Sequence, residues 1–200
     1  MPEDSVTPSV SQPPSNTEAE DKSPWYAIRL FSNCQNKVDE FFKEHGVESF
    51  IPMQYRVYED ENGKPKRKLK PVVSNLIFVK KSLPQADMMH LVSQGQFKMS
   101  VITKERSGRD YYEIPAKQMY EFQAMCNPDI EMRKYLSSEE SRLKVGTPVL
   151  VKHGPLKGLS GRLVRQSHKY FLLKEVPGLG VMLKVSRWCC QPIETKNPKE

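Results

Sequence analysis

The chain has 200 residues, 38% hydrophobic and 28% charged, with a formal net charge of +7. That length suits one ordinary domain or two small ones, and no apolar run approaches the roughly eighteen residues of a spanning helix. The N-terminus lacks the basic-then-apolar pattern of a secretory signal, so the expectation is a cytoplasmic protein that neither crosses a membrane nor is exported.

Four cysteines (Cys34, Cys126, Cys189, Cys190) form no CxxC pair, and four histidines (His45, His90, His153, His168) are scattered without ligand spacing. A disulfide framework needs far more cysteine in a chain this long. No metal and no cofactor are expected. Cys189 and Cys190 are expected on opposite faces of a strand, one of them buried.

The charge is unevenly spread. Residues 1–24 carry five acids against one base, residues 143–200 carry eleven Lys/Arg against three acids, and the middle is nearly neutral. Basic excess favours polyanionic partners such as nucleic acid. Residues 1–24 also hold five prolines and little apolar surface, too little to offset the entropy of ordering. They read as a disordered acidic tail.

Order begins at Trp25. The run Trp25–Phe31 is aromatic and β-rich and predicts a strand. Ser32 or Asn33 offers an N-cap, Val38, Phe41 and Phe42 have helical spacing, and Gly46 stops that helix. Residues 47–57 continue as an extended segment interrupted by Pro52, which suggests an edge or a bulge. Asn62-Gly63 marks a hairpin turn, and the returning arm carries Lys64, Lys66, Arg67, Lys68 and Lys70. Asn75–Val79 fits a central strand. A helix follows Pro84, with Met88, Leu91 and Val92 inward, and Met99–Ile102 reads as another strand. A further helix spans Ile114–Cys126 with Pro115 near its start. This order predicts an α+β fold, an α/β sandwich with a mainly antiparallel sheet. Residues 127–143 lack an apolar stripe and read as a linker with some helical content. Beyond them, five short β-like runs alternate with glycines up to Ile193, the texture of a small β-barrel.

The most specific stretch is Val145–Val164. Two strands flank a loop with Gly154, Gly158 and Gly161, where glycine serves positive φ or close backbone approach, and Pro155 stiffens the turn. Lys152, His153 and Lys157 surround it with positive charge. No P-loop, HExxH, GxSxG or Cys/His/Asp grouping is present, so an enzyme is not expected.

The Val145–Val164 stretch closely resembles the KOW motif of ribosomal proteins and of the NusG family of transcription factors. The Trp25-Tyr26-Ala27-Ile28 strand, Phe50-Ile51-Pro52 and the Val73–Val79 strand resemble the NusG N-terminal domain. Ser74, Asn75 and Leu76 depart from that family's Pro-Gly-Tyr pattern, which makes the chain similar to specialised paralogues of the UpxY and RfaH type. The resemblance implies an N-terminal domain at 25–127, a linker at 128–143, an SH3-like KOW barrel at 144–194 and a disordered tail at 195–200. It implies an elongation or antitermination factor, a monomer, that binds RNA polymerase at the clamp helices of the largest subunit and suppresses pausing or termination. Leu76 and Phe78 would supply the docking face, with Arg29 exposed beside it, while Ile77 and Val79 face the core. The basic arm is either a solvated hairpin that keeps an edge from aggregating or a contact to upstream or non-template DNA, or nascent RNA, through phosphates. The KOW loop (Lys152, His153, Gly154, Pro155, Lys157, Gly158, Gly161) belongs to the half that recruits a small-subunit ribosomal protein or Rho. The other class is a ribosome-associated or RNA-binding KOW protein without polymerase contact.

Overall fold

A computed structural model describes residues 22–94, 96–104, 110–130 and 132–193. The tails expected at 1–24 and 195–200 lie outside the described residues, apart from Lys22, Ser23 and Pro24.

The N-terminal half is built on a five-stranded antiparallel sheet. Its central strand, β1 (Trp25–Leu30), is buried at every position but Arg29. Helix α1 (Gln35–Glu44) follows. Its N-cap falls on Cys34 rather than on Ser32 or Asn33, and no side chain caps it. Ser32 Oγ instead sits 3.0 Å from Cys34 Sγ. Gln35, buried at the helix start, donates through Nε2 to the carbonyls of Val73 and Leu76 at 2.8 and 2.6 Å. Those bonds satisfy a buried amide and tie the next strand to the helix. Gly46, at φ +68, ends α1 as expected.

At Pro52 the extended segment changes sheets. The short β2 (Ser49–Phe50) joins the main sheet, whereas β3 (Met53–Glu59) pairs only with β4 (Pro65–Pro71). Proline donates no ladder bond, which suits a point where pairing stops. The pair β3–β4 forms a separate two-stranded ribbon. The chain returns through β5 (Leu76–Lys80), α2 (Gln85–Gln94), β6 (Met99–Val101), β7 (Glu113–Ile114) and α3 (Ala116–Met125). The sheet order is β2-β5-β1-β6, with β7 completing the β6 edge against Trp25 and Tyr26. Pro84 and Pro115 stand just outside α2 and α3, where their carbonyls accept the first helical bonds.

Period-two alternation sorts the sheet into two faces. Tyr26, Ile28, Leu30, Ile77 and Val79 pack with Val38 and Phe42 of α1 and Met88 and Val92 of α2. Trp25, Ala27, Leu76 and Phe78 pack with Met119, Phe122 and Met125 of α3 and with residues of the C-terminal half. Both faces are therefore covered.

The stretch expected as a linker is structured. Residues Arg133–Ser137 form β8, and Ser138–Arg142 form the short helix α4. Ser137 Oγ accepts the Glu140 amide at 3.2 Å and Glu140 Oε2 accepts the Ser137 amide at 2.8 Å, a reciprocal capping box. Then come β9 (Thr147–Val151), β10 (Ser160–Gln166), β11 (Lys169–Val176), β12 (Leu179–Lys184), a 3-10 turn at Arg187–Cys189, and β13 (Cys190–Pro192). They form one antiparallel sheet in the order β13-β9-β10-β11-β12-β8, one strand more than the five expected. The extra strand is β8, an edge strand with little apolar character. Cys189 lies in the turn and Cys190 opens β13, and both are half-buried, so neither is the buried strand cysteine that was expected.

One face of this sheet buries Val164, Phe171, Leu173 and Met182 as a small core of its own. The other face, with Val149, Val151, Leu172, Val176, Leu179, Val181 and Leu183, is continuous with the α3 side of the N-terminal sheet. The two halves share one hydrophobic core.

Candidate partner and nucleic-acid surfaces

Leu76 and Phe78 share a strand face, as period-two alternation requires, but neither is exposed: Leu76 is 4% and Phe78 0% accessible. The reason is the cover on that face. Phe78 stacks edge-on against Phe122 of α3 at 5.5 Å and lies 6.4 Å from the Phe50 ring. It is a core residue of its own sheet. Leu76 is covered from the other half by the β11–β12 turn. A Cβ placed on Gly178 would come within 2.9 Å of a Leu76 methyl, and Gly178 holds φ +95. Glycine is required there twice over, for its backbone and for its lack of a side chain. Arg29, paired with Leu76 across β1–β5, is exposed on the same face as Trp25 and Ala27.

The contact between the halves is polar as well as apolar. Glu121 of α3, 3% accessible, is ion-paired with Lys174 of β11. Its carboxylate also accepts the Ser160 amide at 3.3 Å and the Ser160 hydroxyl at 2.9 and 3.0 Å. Lys174 Nζ donates in turn to the Ser160 carbonyl at 3.2 Å. A buried charge is tolerable only when paired and hydrogen-bonded in this way. Nearby, Gln118 donates to the Glu175 carbonyl at 2.8 Å. At the end of α3, burial pushes the Cys126 thiol up to about 12.

The basic arm lies on β4 and in the turn before it. Lys64, Lys66, Arg67, Lys68 and Lys70 are all exposed. The turn spans residues 60–64, longer than the two-residue type that Asn-Gly favours. Asp60 organises it, its carboxylate accepting the amides of Asn62 and Lys64 at 3.0 and 2.9 Å. Those bonds, led by the Lys64 amide, hold the Asp60 carboxyl below its usual range. Glu59 pairs with Pro65, which sets the register Tyr58↔Lys66, Val57↔Arg67, Arg56↔Lys68, Tyr55↔Leu69 and Gln54↔Lys70. The arm therefore divides. Lys66, Lys68 and Lys70 share one face with Gln54, Arg56 and Tyr58, whereas Arg67 lies on the opposite face with Tyr55, Val57 and Leu69. Arg56, Gln54 and Tyr58 were not singled out by sequence reasoning, because their place depends on the partner strand's register.

In the glycine loop between β9 and β10, Gly154 and Gly158 hold φ +86 and +90. Gly161 serves close approach instead, since a Cβ there would lie 2.6 Å from the Leu173 carbonyl oxygen. Leu156 tucks inward, and Lys152, His153, Pro155 and Lys157 face solvent. The Lys152 amide donates to the Cys189 carbonyl at 2.7 Å, which places the loop beside Trp188. That indole is 94% accessible. Arg187 and Arg165 lie over the Tyr170 ring at 6.0 and 5.9 Å. A lone tryptophan in a Ser-Arg-Trp-Cys run gave no periodic signal, so this exposed aromatic and its arginines went unread. Among the described residues no group of three His, Cys, Asp or Glu is placed to hold a metal ion, and no helix is long and apolar enough to cross a membrane.

The family model for NusG, described as transcription termination factor nusG, matches residues 23–123. The chain belongs to the NusG family. The matched segment begins just before β1 and ends within α3, so it coincides with the N-terminal sheet and its helices. No curated protein matches the chain. NusG membership places the chain among factors that act on transcription.

Proposed function

We propose that this NusG-family chain is a specialised elongation or antitermination factor. It binds RNA polymerase through its N-terminal half, suppresses pausing or termination, and recruits a second partner through a KOW domain formed by the C-terminal sheet. The observation that carries the reading is the coincidence of the family match with the N-terminal sheet. The KOW assignment is supported by the loop, where Gly154 and Gly158 hold positive φ and Gly161 admits the neighbouring strand.

The clamp-helix contact is assigned to the β1–β5 face, with Arg29 and Leu76 as contact residues and Phe78 beside them on the same face. Leu76 is covered by the Gly178 turn, so docking through this face requires the halves to part. The KOW partner surface is assigned to Lys152, His153 and Lys157 together with Trp188, because an exposed indole beside cations is the kind of anchor that interfaces concentrate energy on. The same feature favours the second reading, a KOW protein that binds RNA or ribosomes alone.

The test is co-purification of the full chain with core RNA polymerase and, separately, with ribosomal subunits. Arg29→Glu is the companion variant, since an exposed substitution leaves folding within about 0.5 kcal/mol. Polymerase retained by the native chain and lost by Arg29→Glu supports the docking face. Subunits retained and polymerase not retained by either protein overturns the polymerase reading.

A further inference from the structure

We propose that the chain's own acidic N-terminal segment, residues 1–21, seats on the cationic face of the β3–β4 ribbon, formed by Arg56, Lys66, Lys68 and Lys70. The segment covers that face in the free chain, and any other polyanion must displace it to reach the ribbon. This goes beyond the polymerase reading and does not rest on it.

Charge is the first support. Arg56 stands directly opposite Lys68, and Lys66 and Lys70 flank Lys68 on the same face. Like charges directly opposite each other destabilise an antiparallel pair, and a two-stranded ribbon has little stability to spare. One carboxylate offsets the row: Asp60 Oδ2 lies 3.2 Å from Lys66 Nζ. Among the described residues no acid forms an ion pair with Arg56, Lys68 or Lys70. The missing counter-charge is carried by the same chain. Residues 1–21, outside the described residues, hold Glu3, Asp4, Glu18, Glu20 and Asp21 and no Lys or Arg. Spacing agrees as well. Lys66, Lys68 and Lys70 recur about every 6.8 Å along β4, which is also the separation of Glu18 from Glu20 in an extended chain.

Reach is the second support. Ala27 pairs with Phe78, and Phe78 with Phe50, which puts Phe50 about 10 Å from Ala27. From Phe50 the chain runs to Tyr58, near the ribbon tip, over at most about 28 Å. With one more strand spacing to Lys66, the whole cationic face lies within about 45 Å of Ala27. Residues 1–21 span up to about 70 Å. Glu18 alone reaches about 30 Å from Ala27, far enough for Lys70 at the base of the ribbon. A tether this short holds the acids at roughly millimolar effective concentration, so a contact too weak to form between separate molecules is populated within one.

The experiment is zero-length carbodiimide coupling of the full chain, which joins a carboxylate to a lysine amine only where the two touch, followed by peptide mapping. Two exposed ion pairs, each worth roughly 1.5- to 5-fold, should make Glu18, Glu20 and Asp21 couple to Lys66, Lys68 and Lys70 about fivefold more than to Lys152 and Lys157, which are also exposed. That preference should vanish in 1 M salt, where the screening length falls to about 3 Å. Arg56→Gln removes a charge that cannot itself couple, and should lower the yield at Lys68 by about two- to threefold. Arg67→Gln removes the same charge from the apolar face and should leave that yield unchanged. Equal losses in the two variants overturn the one-faced seat. Coupling spread evenly over the exposed lysines, or concentrated on Lys152 and Lys157, overturns the ribbon as the seat. With isotope-labelled and unlabelled chains mixed, products joining a heavy to a light peptide overturn the intramolecular contact. Polymerase co-purification separates this inference from the proposed function: polymerase retained without ribbon coupling refutes the seat alone, and ribbon coupling without polymerase refutes the proposed function alone.

Discussion

Lys174→Met removes one partner of the ion pair that joins the two halves. The Glu121 carboxylate, buried in α3, would keep the Ser160 hydroxyl and amide but lose its counter-charge. Breaking a buried pair from one side costs about 3–5 kcal/mol, and the surviving Ser160 bonds place this variant near 3. Because the halves share one core, urea should unfold the chain in a single transition. With a slope of about 2–3 kcal/mol/M the midpoint falls by about 1–1.5 M. Glu121→Leu should cost a similar amount by stranding the ammonium. The double variant should cost only about 1 kcal/mol, since apolar replacement of a buried pair is often near neutral. Its cost would then fall well short of the sum of the two singles. Single variants within about 0.5 kcal/mol of the native chain, or a double equal to the sum, would refute the reasoning, because they mean the pair is hydrated and the halves are not packed together.

Two further outcomes follow from titratable groups. Maleimide at pH 8 should label the half-buried Cys34, Cys189 and Cys190 of the native chain and reach Cys126 only on unfolding, since burial holds that thiol protonated at about 12; four equivalents incorporated at one rate would contradict this. Lys81 donates to Glu113 at 2.5 Å and holds its carboxyl below the model-compound value of 4.5. A depressed carboxyl stabilises the fold above its unfolded pKa and loses that contribution as pH falls through the folded one. The stability gap between the native chain and Glu113→Gln, followed by urea midpoints, should therefore be constant above about pH 5 and close below 4.5; a gap that widens on acidification would sink the assignment.

The continuous apolar runs of β1 and β5 were legible as central strands, and alternation correctly parted Leu76 and Phe78 from Ile77 and Val79. A strand apolar on both faces is covered on both faces, and that rule already weighed against an open docking patch. What covers the second face could not be read, since Phe122 lies more than forty residues away in sequence and Gly178 about a hundred. Strand β8 was missed because Arg-Lys-Tyr-Leu-Ser shows no strong alternation, and strand preference at an edge is mostly a matter of neighbours. The Ser137–Glu140 capping box was the readable sign that the segment is ordered. The basic arm was visible as composition. Its division into two faces was not, because the Asp60-centred turn, longer than Asn-Gly suggests, decides which residues of β3 stand opposite it.

Strand β8 also sets a distance. Had residues 128–143 been a free linker, sixteen residues could have let the halves separate by about 55 Å. With β8 zipped onto β12, only residues 126–132 lie between α3 and the C-terminal sheet, and seven residues reach about 25 Å at full extension. If the halves part while β8 stays in place, they remain within about one small-domain diameter of each other. A partner held by the C-terminal half is then leashed close to whatever the N-terminal half has bound. The length of that leash could be altered by inserting residues between Cys126 and Arg133 without touching either surface.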